Sequence, residues 1–265
     1  MKYNILALML LALLYSIPTA TAQRKRNTFQ RTITDPNAKP PAAVMVDVAY
    51  GMSLPEGDLA EYFVYNLSLG GKVQYLLPNN WMVGITGDYH FSDDIKKDVI
   101  SNLRVADGSI IDKFGSYSDA ALGQRGFYLG GTVGYLLPVL KTTKRSGIEF
   151  RFSGGYLQHW VDIEVLGSEV FALADNYKKG YDRMSSGVAF AEYIGYRHLD
   201  KGGLLNFFGG FEFTQGVTKN RRGFNYDTQQ EDTSTKFDML IGFKVGLSIP
   251  FYIYSIDTQQ ETRYY

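Results

Sequence analysis

No cysteine occurs in the 265 residues. That excludes disulfide frameworks, thiolate zinc and iron-sulfur centres, cysteine nucleophiles and a lipid anchor built on cysteine. Net charge is missing too, because 27 basic side chains balance 27 acidic ones. A nucleic-acid binder would show a clustered basic footprint, so no nucleic-acid partner is expected. Proline is scarce, at 8 residues, whereas 28 glycines, 20 tyrosines and 17 phenylalanines are present. Aromatics at 15% with charged residues at only 20% fit neither a disordered chain nor a coiled coil.

The first segment carries an address. A short positive start at Met1, Lys2 and Tyr3 precedes an unbroken apolar run from Ile5 to Leu14, and Ala20, Thr21 and Ala22 supply small residues for cleavage. This is the pattern of a secretory signal peptide over residues 1–22. Its apolar run is about half of the roughly 20 residues that a spanning helix needs. The exported chain, starting at Gln23, loses Lys2 and has a formal charge of −1. Residues 23–41 hold Arg24, Lys25, Arg26, Arg31 and Lys39 against one acid, Asp35, and end in Pro40 and Pro41. They read as a flexible basic leader on the periplasmic side.

From Val44 onward the dominant period is two, the signature of strands. Val44, Val46, Val48, Tyr50 and Met52 share one face, and Asp47, Ala49, Gly51 and Ser53 the other. Seven further runs follow, the longest setting Phe237, Met239, Ile241, Phe243, Val245, Leu247, Ile249 and Phe251 against Asp238, Gly242, Lys244, Gly246 and Ser248. In the sixth run, Gly187 to Leu199, both faces are mixed, and the expected register turns Glu192 inward and Ala189, Ala191 and Tyr193 outward. Residues Leu69 to Pro78 and Leu129 to Pro138 both spell L-G-G-x-V-x-Y-L-L-P. Such a repeat is expected of two strands crossing the same layers in the same direction.

Periodicity alone leaves open which face is buried, but connection lengths discriminate. Short turns follow the second run (Pro78 to Asn80) and the sixth (Asp200 to Gly203). Long polar stretches follow the third (Ser92 to Arg125), the fifth (Val161 to Ser186) and the seventh (Val217 to Ser234). Alternating short and long connections belong to transmembrane barrels with short periplasmic turns and long extracellular loops. Outward aromatics are expected in two girdles: Tyr50, Tyr89, Phe91, Phe127, Tyr156, Phe213 and Phe237 outside, and Tyr75, Trp81, Tyr135 and Phe251 inside. The expected fold is all-β: an eight-stranded antiparallel up-and-down transmembrane β-barrel over residues 42–254. A short periplasmic tail, 255–265, follows it, too brief for a folded domain.

With its signal peptide, eight alternating runs, loop asymmetry and aromatic last run, the chain resembles the small outer-membrane β-barrel superfamily of OmpA/OmpX-like and PorT-like barrels. The resemblance implies a multi-pass barrel in the outer membrane of a Gram-negative cell, embedded in outer-membrane lipid, and it transfers no catalytic residue. Members serve as envelope tethers, adhesins, secretion-system accessories and, less often, lipid-modifying enzymes.

An eight-stranded lumen is just wide enough to be filled by side chains. The residues expected there are Asp47, Asp88, Glu149, Glu192, Glu212 and Asp238, opposed by Lys72, Arg151 and Lys244, as a paired plug rather than an ion path. His90 and Ser92, with Asp93 and Asp94 beside them, hold the residue types of acyl transfer or ester hydrolysis. They are similar in this to lipid A acyltransferase or deacylase barrels. No sequence spacing fixes whether the imidazole reaches the hydroxyl, and the expectation is a non-enzymatic protein with no cofactor and no metal. The long connections together hold about 80 residues, and loops of that size on a rigid scaffold point to binding. The expected role is an accessory or structural subunit that meets envelope or secretion-system proteins through its loops or leader. The alternatives are a lipid-modifying enzyme and a narrow pore.

Overall fold

The computed structural model describes residues 40–139, 145–174, 176–199 and 206–253. The expected signal peptide, the leader up to Lys39, the inner turn from Asp200 to Gly203 and the tail lie outside them. Eight long strands form where period-two runs of β-branched and aromatic residues predict them: β1 (Ala42–Gly57), β2 (Asn66–Leu76), β3 (Trp81–Ser92), β4 (Tyr117–Pro138), β5 (Gly147–Leu166), β6 (Ser185–His198), β7 (Phe207–Asn220) and β8 (Thr235–Ile253). Each pairs antiparallel with its neighbour in sequence, and β8 pairs back onto β1 from Ala42↔Ile253 to Gly57↔Asp238. The ring is closed, so none of these strands is a sheet edge within the span, as a lipid environment demands.

The register fixes the barrel's girth. One circuit of paired residues runs from Ala43 through Leu76, Met82, Gly134, Arg151, Tyr193, Glu212 and Gly242 to Ser53. It returns to β1 ten residues further along. Eight strands with that offset tilt by roughly 40° from the axis. The result is a narrow cylinder whose interior side chains meet across the middle.

Burial alternates strictly along β2, from Asn66 inward to Leu76 inward, and the exposed face of the barrel is mostly apolar, with Glu192 on β6 and Gln215 on β7 as exceptions. Val48, Leu69, Val83, Ile85, Leu129, Phe152, Phe211, Ile241 and Leu247 all present their side chains outward. Trp81 packs on Tyr135 at the inner girdle (5.4 Å) and Phe127 on Tyr156 at the outer one (6.2 Å). Tyr50 is a correction to the girdle: it pairs with Leu69 and Val245, and its neighbour Ala49 packs on Tyr193 and Phe208 in the lumen, so its ring lies near mid-height. The inner turn after β2 closes with Asn80 at φ 68° and a bond from its N–H to the Leu77 carbonyl (3.0 Å). Asparagine tolerates that left-handed backbone.

Two further differences from the sequence reading are informative. First, β4 and β5 pair from Asp119↔Leu166 to Pro138↔Gly147, roughly twice the length needed to cross the hydrocarbon. Parts of what read as polar loops are therefore a two-stranded ribbon, the start of β4 paired with the end of β5, standing beyond the barrel mouth. Second, the sixth strand has the opposite parity: Ala189, Ala191 and Tyr193 are buried inside, and Glu192 is exposed outside. Arg197 explains this parity, because it is wholly buried among lumen acids and drags every odd-numbered residue of β6 inward.

Apolar layers close both ends. Ala43, Met45, Leu76, Met82, Leu136 and Leu199 form a plug at the inner end. Leu76 and Leu136 occupy equivalent places in the repeated decapeptide, and β2 and β4 do run in the same direction. At the outer end Leu59, Phe63, Val99, Ile100, Ile110, Val161, Ile163, Leu173 and Tyr181 pack the loops into a cap.

Inward glycines leave room for wide lumen side chains. A Cβ on Gly246 would stand 2.4 Å from the Val48 carbonyl oxygen and 2.5 Å from the nearest ring carbon of Phe208, whereas one on outward Gly131 meets nothing within 4 Å. Gly246→Val is expected to cost about 1–3 kcal/mol in urea unfolding from lipid vesicles. Gly131→Val is expected to leave the midpoint nearly unchanged.

Candidate functional site

The lumen between the two apolar layers holds eight charged side chains in one connected array. Arg197 is its hub. The guanidinium donates from Nη1 and Nη2 to the two oxygens of Asp47 (3.1 and 2.9 Å) and from Nε to Glu149 (2.6 Å). Ser248 and Gln74 also donate to Asp47 (2.6 and 2.9 Å). Lys72 lies between the same two acids, 3.2 Å from Asp47 and 3.6 Å from Glu149. Glu149 also accepts from Arg151 (2.8 Å), which reaches on to Glu212 (3.2 Å). Lys244 then joins Glu212 (2.5 Å) to Asp88 (2.9 Å).

Four acids and four bases alternate, so the array is neutral. Unpaired, any of them would be strongly disfavoured in so dry a space. Aromatic faces complete the packing: Phe208 lies under Arg197 (4.6 Å) and Lys72 (5.1 Å), and Tyr193 under Arg151 (4.0 Å). Two voids among these side chains measure about 20 and 10 Å³. Each is room for a single water, far short of a continuous column.

Of the residues expected in the lumen network, Asp47, Lys72, Asp88, Glu149, Arg151, Glu212 and Lys244 are brought together. Two are not. Glu192 faces the membrane, where it accepts from the Gln215 amide (3.3 Å). Asp238 is buried but separate, held near the outer end by Thr218 (2.6 Å) and His159 (2.8 Å). The residue that sequence reasoning missed is Arg197, and charge balance held the clue. Six expected acids against three bases called for another inward cation.

His90 and Ser92 share the inward face, both buried. His90 Nδ1 accepts from the Asn66 amide (3.1 Å), and Ser92 Oγ accepts from the Asp94 backbone (3.2 Å). The two are not bonded to each other among the described contacts, and neither faces acyl chains.

The outer loops are braced by ion pairs: Arg222 to Asp182 (2.5 Å), Arg104 to Asp98 (2.5 Å) and Arg183 to Asp227. Asp232 gathers Ser234 (2.6 Å), Lys236 (3.0 Å) and Asn220 (3.2 Å). Partial burial would raise its carboxyl, but these bonds win and hold it well below the ordinary carboxylate range. At the outer end of the β4–β5 ribbon, where β4 begins and β5 ends, Lys113 ties to Glu169 (2.9 Å). Around that tie Phe114, Tyr117 and Phe171 stand 74%, 72% and 69% exposed.

No protein-family model matches this chain, and no curated protein matches it. Among solved structures it is similar to Ail, the attachment invasion locus protein of Yersinia pestis (7% identity, TM-score 0.43, covering 79% of this chain and 99% of that one). Similar too are neisserial surface protein A (10%, 0.42, 79% and 97%) and the outer membrane protein OprG of Pseudomonas aeruginosa (13%, 0.41, 82% and 99%). The chain's own closed ring, apolar belt and charged lumen make it an integral eight-stranded outer-membrane β-barrel.

Removing the hub should expose its importance. Arg197→Met leaves Asp47 and Glu149 short of a cation and is expected to cost about 3–5 kcal/mol in urea unfolding from vesicles. Lys97→Ala, which breaks the exposed pair with Glu61 (2.6 Å), should cost less than about 1 kcal/mol. For Asp232, a folded-state carboxyl below the unfolded one stabilises above about pH 4, and this is lost as pH falls further. Hydrogen exchange over residues 221–234, corrected for intrinsic rates, should therefore quicken below pH 4, and Asp232→Asn should flatten that dependence.

Proposed function

We propose that the protein is a non-enzymatic outer-membrane platform whose outer loops hold a protein partner of the cell envelope, as an accessory subunit would. The observation that carries this reading is the outer extension of the β4–β5 strand pair. Strands of 22 and 20 residues place a braced tip well beyond the membrane, and that tip exposes three aromatic rings to water. Rigid, exposed aromatics are the residues that anchor protein interfaces, and a monomer surface seldom leaves them bare without use. A filled lumen argues in the same direction, since the barrel then serves as a scaffold. Against lipid chemistry stands the placement of His90 and Ser92, each bonded elsewhere inside the cap.

The test is capture from intact cells. A tagged chain, cross-linked in place and purified in mild detergent, should bring down one envelope protein in defined proportion. Phe114→Ser/Tyr117→Ser/Phe171→Ser should reduce that capture about tenfold or more, as loss of interface anchors does, with barrel yield unchanged. Undiminished capture by the triple variant would refute the reading.

A further inference from the structure

Glu192 is the one charged side chain on the outward face between the two girdles, among the described residues. Its depth is fixed by its neighbours. Across the sheet it pairs with Phe152 and Phe213, both on the apolar exterior. Along the strand, inward Tyr193 stacks on Arg151 in the charged layer of the lumen. The carboxylate therefore stands where acyl chains surround the barrel, at the level of the ion-paired array within.

One neighbour answers it. Gln215 on β7 donates through Nε2 to Oε2 of Glu192 at 3.3 Å. Among the described residues, Oε1 of Glu192 has no partner, and neither do the second N–H and the carbonyl of the Gln215 amide. Polar groups facing hydrocarbon are costly and mark contacts with other membrane-embedded protein. On either side of the pair the surface is aromatic and already ordered: Phe152 stacks on Phe190 (5.8 Å) and Phe211 meets Phe243 edge-on (5.5 Å).

We propose that the β6–β7 face is the seam of a homodimer, with Glu192 and Gln215 of one copy bonding Gln215 and Glu192 of the other. The argument for a second copy is complementarity. Each copy offers one unused acceptor and one unused donor side by side, their bonded atoms 3.3 Å apart. A two-fold axis parallel to the barrel axis, the isologous arrangement commonest among oligomers, sets donor against acceptor twice. The outward belt presents no described Lys or Arg, so between copies the match is amide to carboxyl, needing no opposite charge.

The absence of cysteine gives a clean readout, since any introduced thiol is the sole one. Ile194→Cys lies two residues from Glu192 and is exposed outward, and Ile85→Cys is equally outward on β3, four strands away from β7. In proteoliposomes treated with copper phenanthroline, Ile194→Cys should give a disulfide-linked dimer and Ile85→Cys should stay monomeric. Adding Glu192→Leu/Gln215→Leu should lower the dimer yield about tenfold, in keeping with the worth of such bonds in membranes. Glu192→Gln, which keeps the hydrogen bonds, should preserve it. Heat-modifiable migration on gels verifies that each variant is folded. Equal cross-linking at both positions, cross-linking at neither, a dimer unaffected by the double leucine variant, or capture in native membranes of a different protein at Ile194→Cys would overturn the proposal.

Discussion

The pairing of charges inside a cylinder too narrow for bulk water is the constraint on which this structure turns. Arg197 lies wholly buried and makes bonds to two acids from opposite sides of the barrel, Asp47 on β1 and Glu149 on β5. It thereby ties the first strand to the middle of the chain. The parity of β6 follows from it, because a side chain that must lie inside sets the direction of every neighbour along a strand. Phe208 gives the guanidinium a flat floor, and Gly246 gives Phe208 its space. Lys72, Arg151 and Lys244 extend the same alternation upward until Asp88 ends it.

Above and below that array the chemistry changes abruptly. An aliphatic plug closes the inner end and a loop cap the outer end, so the ionic layer is insulated on both sides as well as from the lipid. A barrel built this way has a filled interior. Ion pairs among Arg104, Asp98, Arg222 and Asp182 fix the loops in place, which reduces the ordering that a partner would otherwise have to impose. The surfaces proposed for contact are the aromatic outer end of the β4–β5 strand pair and the polar couple on the membrane face of β6 and β7.

Most of the fold was legible from residue alternation and connection length. Runs such as Val44 to Met52 and Phe237 to Phe251 carry a clean period of two, and one face of each is too apolar for anything but lipid or a core. The sixth strand was not legible, for a definite reason. Glu192 and Arg197 have opposite parity, so one of them had to face outward, and alternation cannot say which. Charge balance across the other strands decides it in favour of Arg197. The outward extension of β4 and β5 was hidden differently: Tyr117 to Arg125 and Val161 to Leu166 mix Ser, Asp, Gln and Gly with apolar residues, because outside the membrane neither face must be uniformly greasy. The separation of Asp238 from the network depends on height along the barrel, which only the ten-residue offset of the ring reveals.

Conductance across a planar bilayer tests the central claim most directly, since four acids and four bases locked together leave no path for an ion. Refolded protein, inserted and held at moderate voltage, should pass no steady current over the leak of the bare membrane. A stable, ohmic channel in the unmodified chain would contradict the account, because ions could then cross only where the array or its two apolar seals do not exist as described.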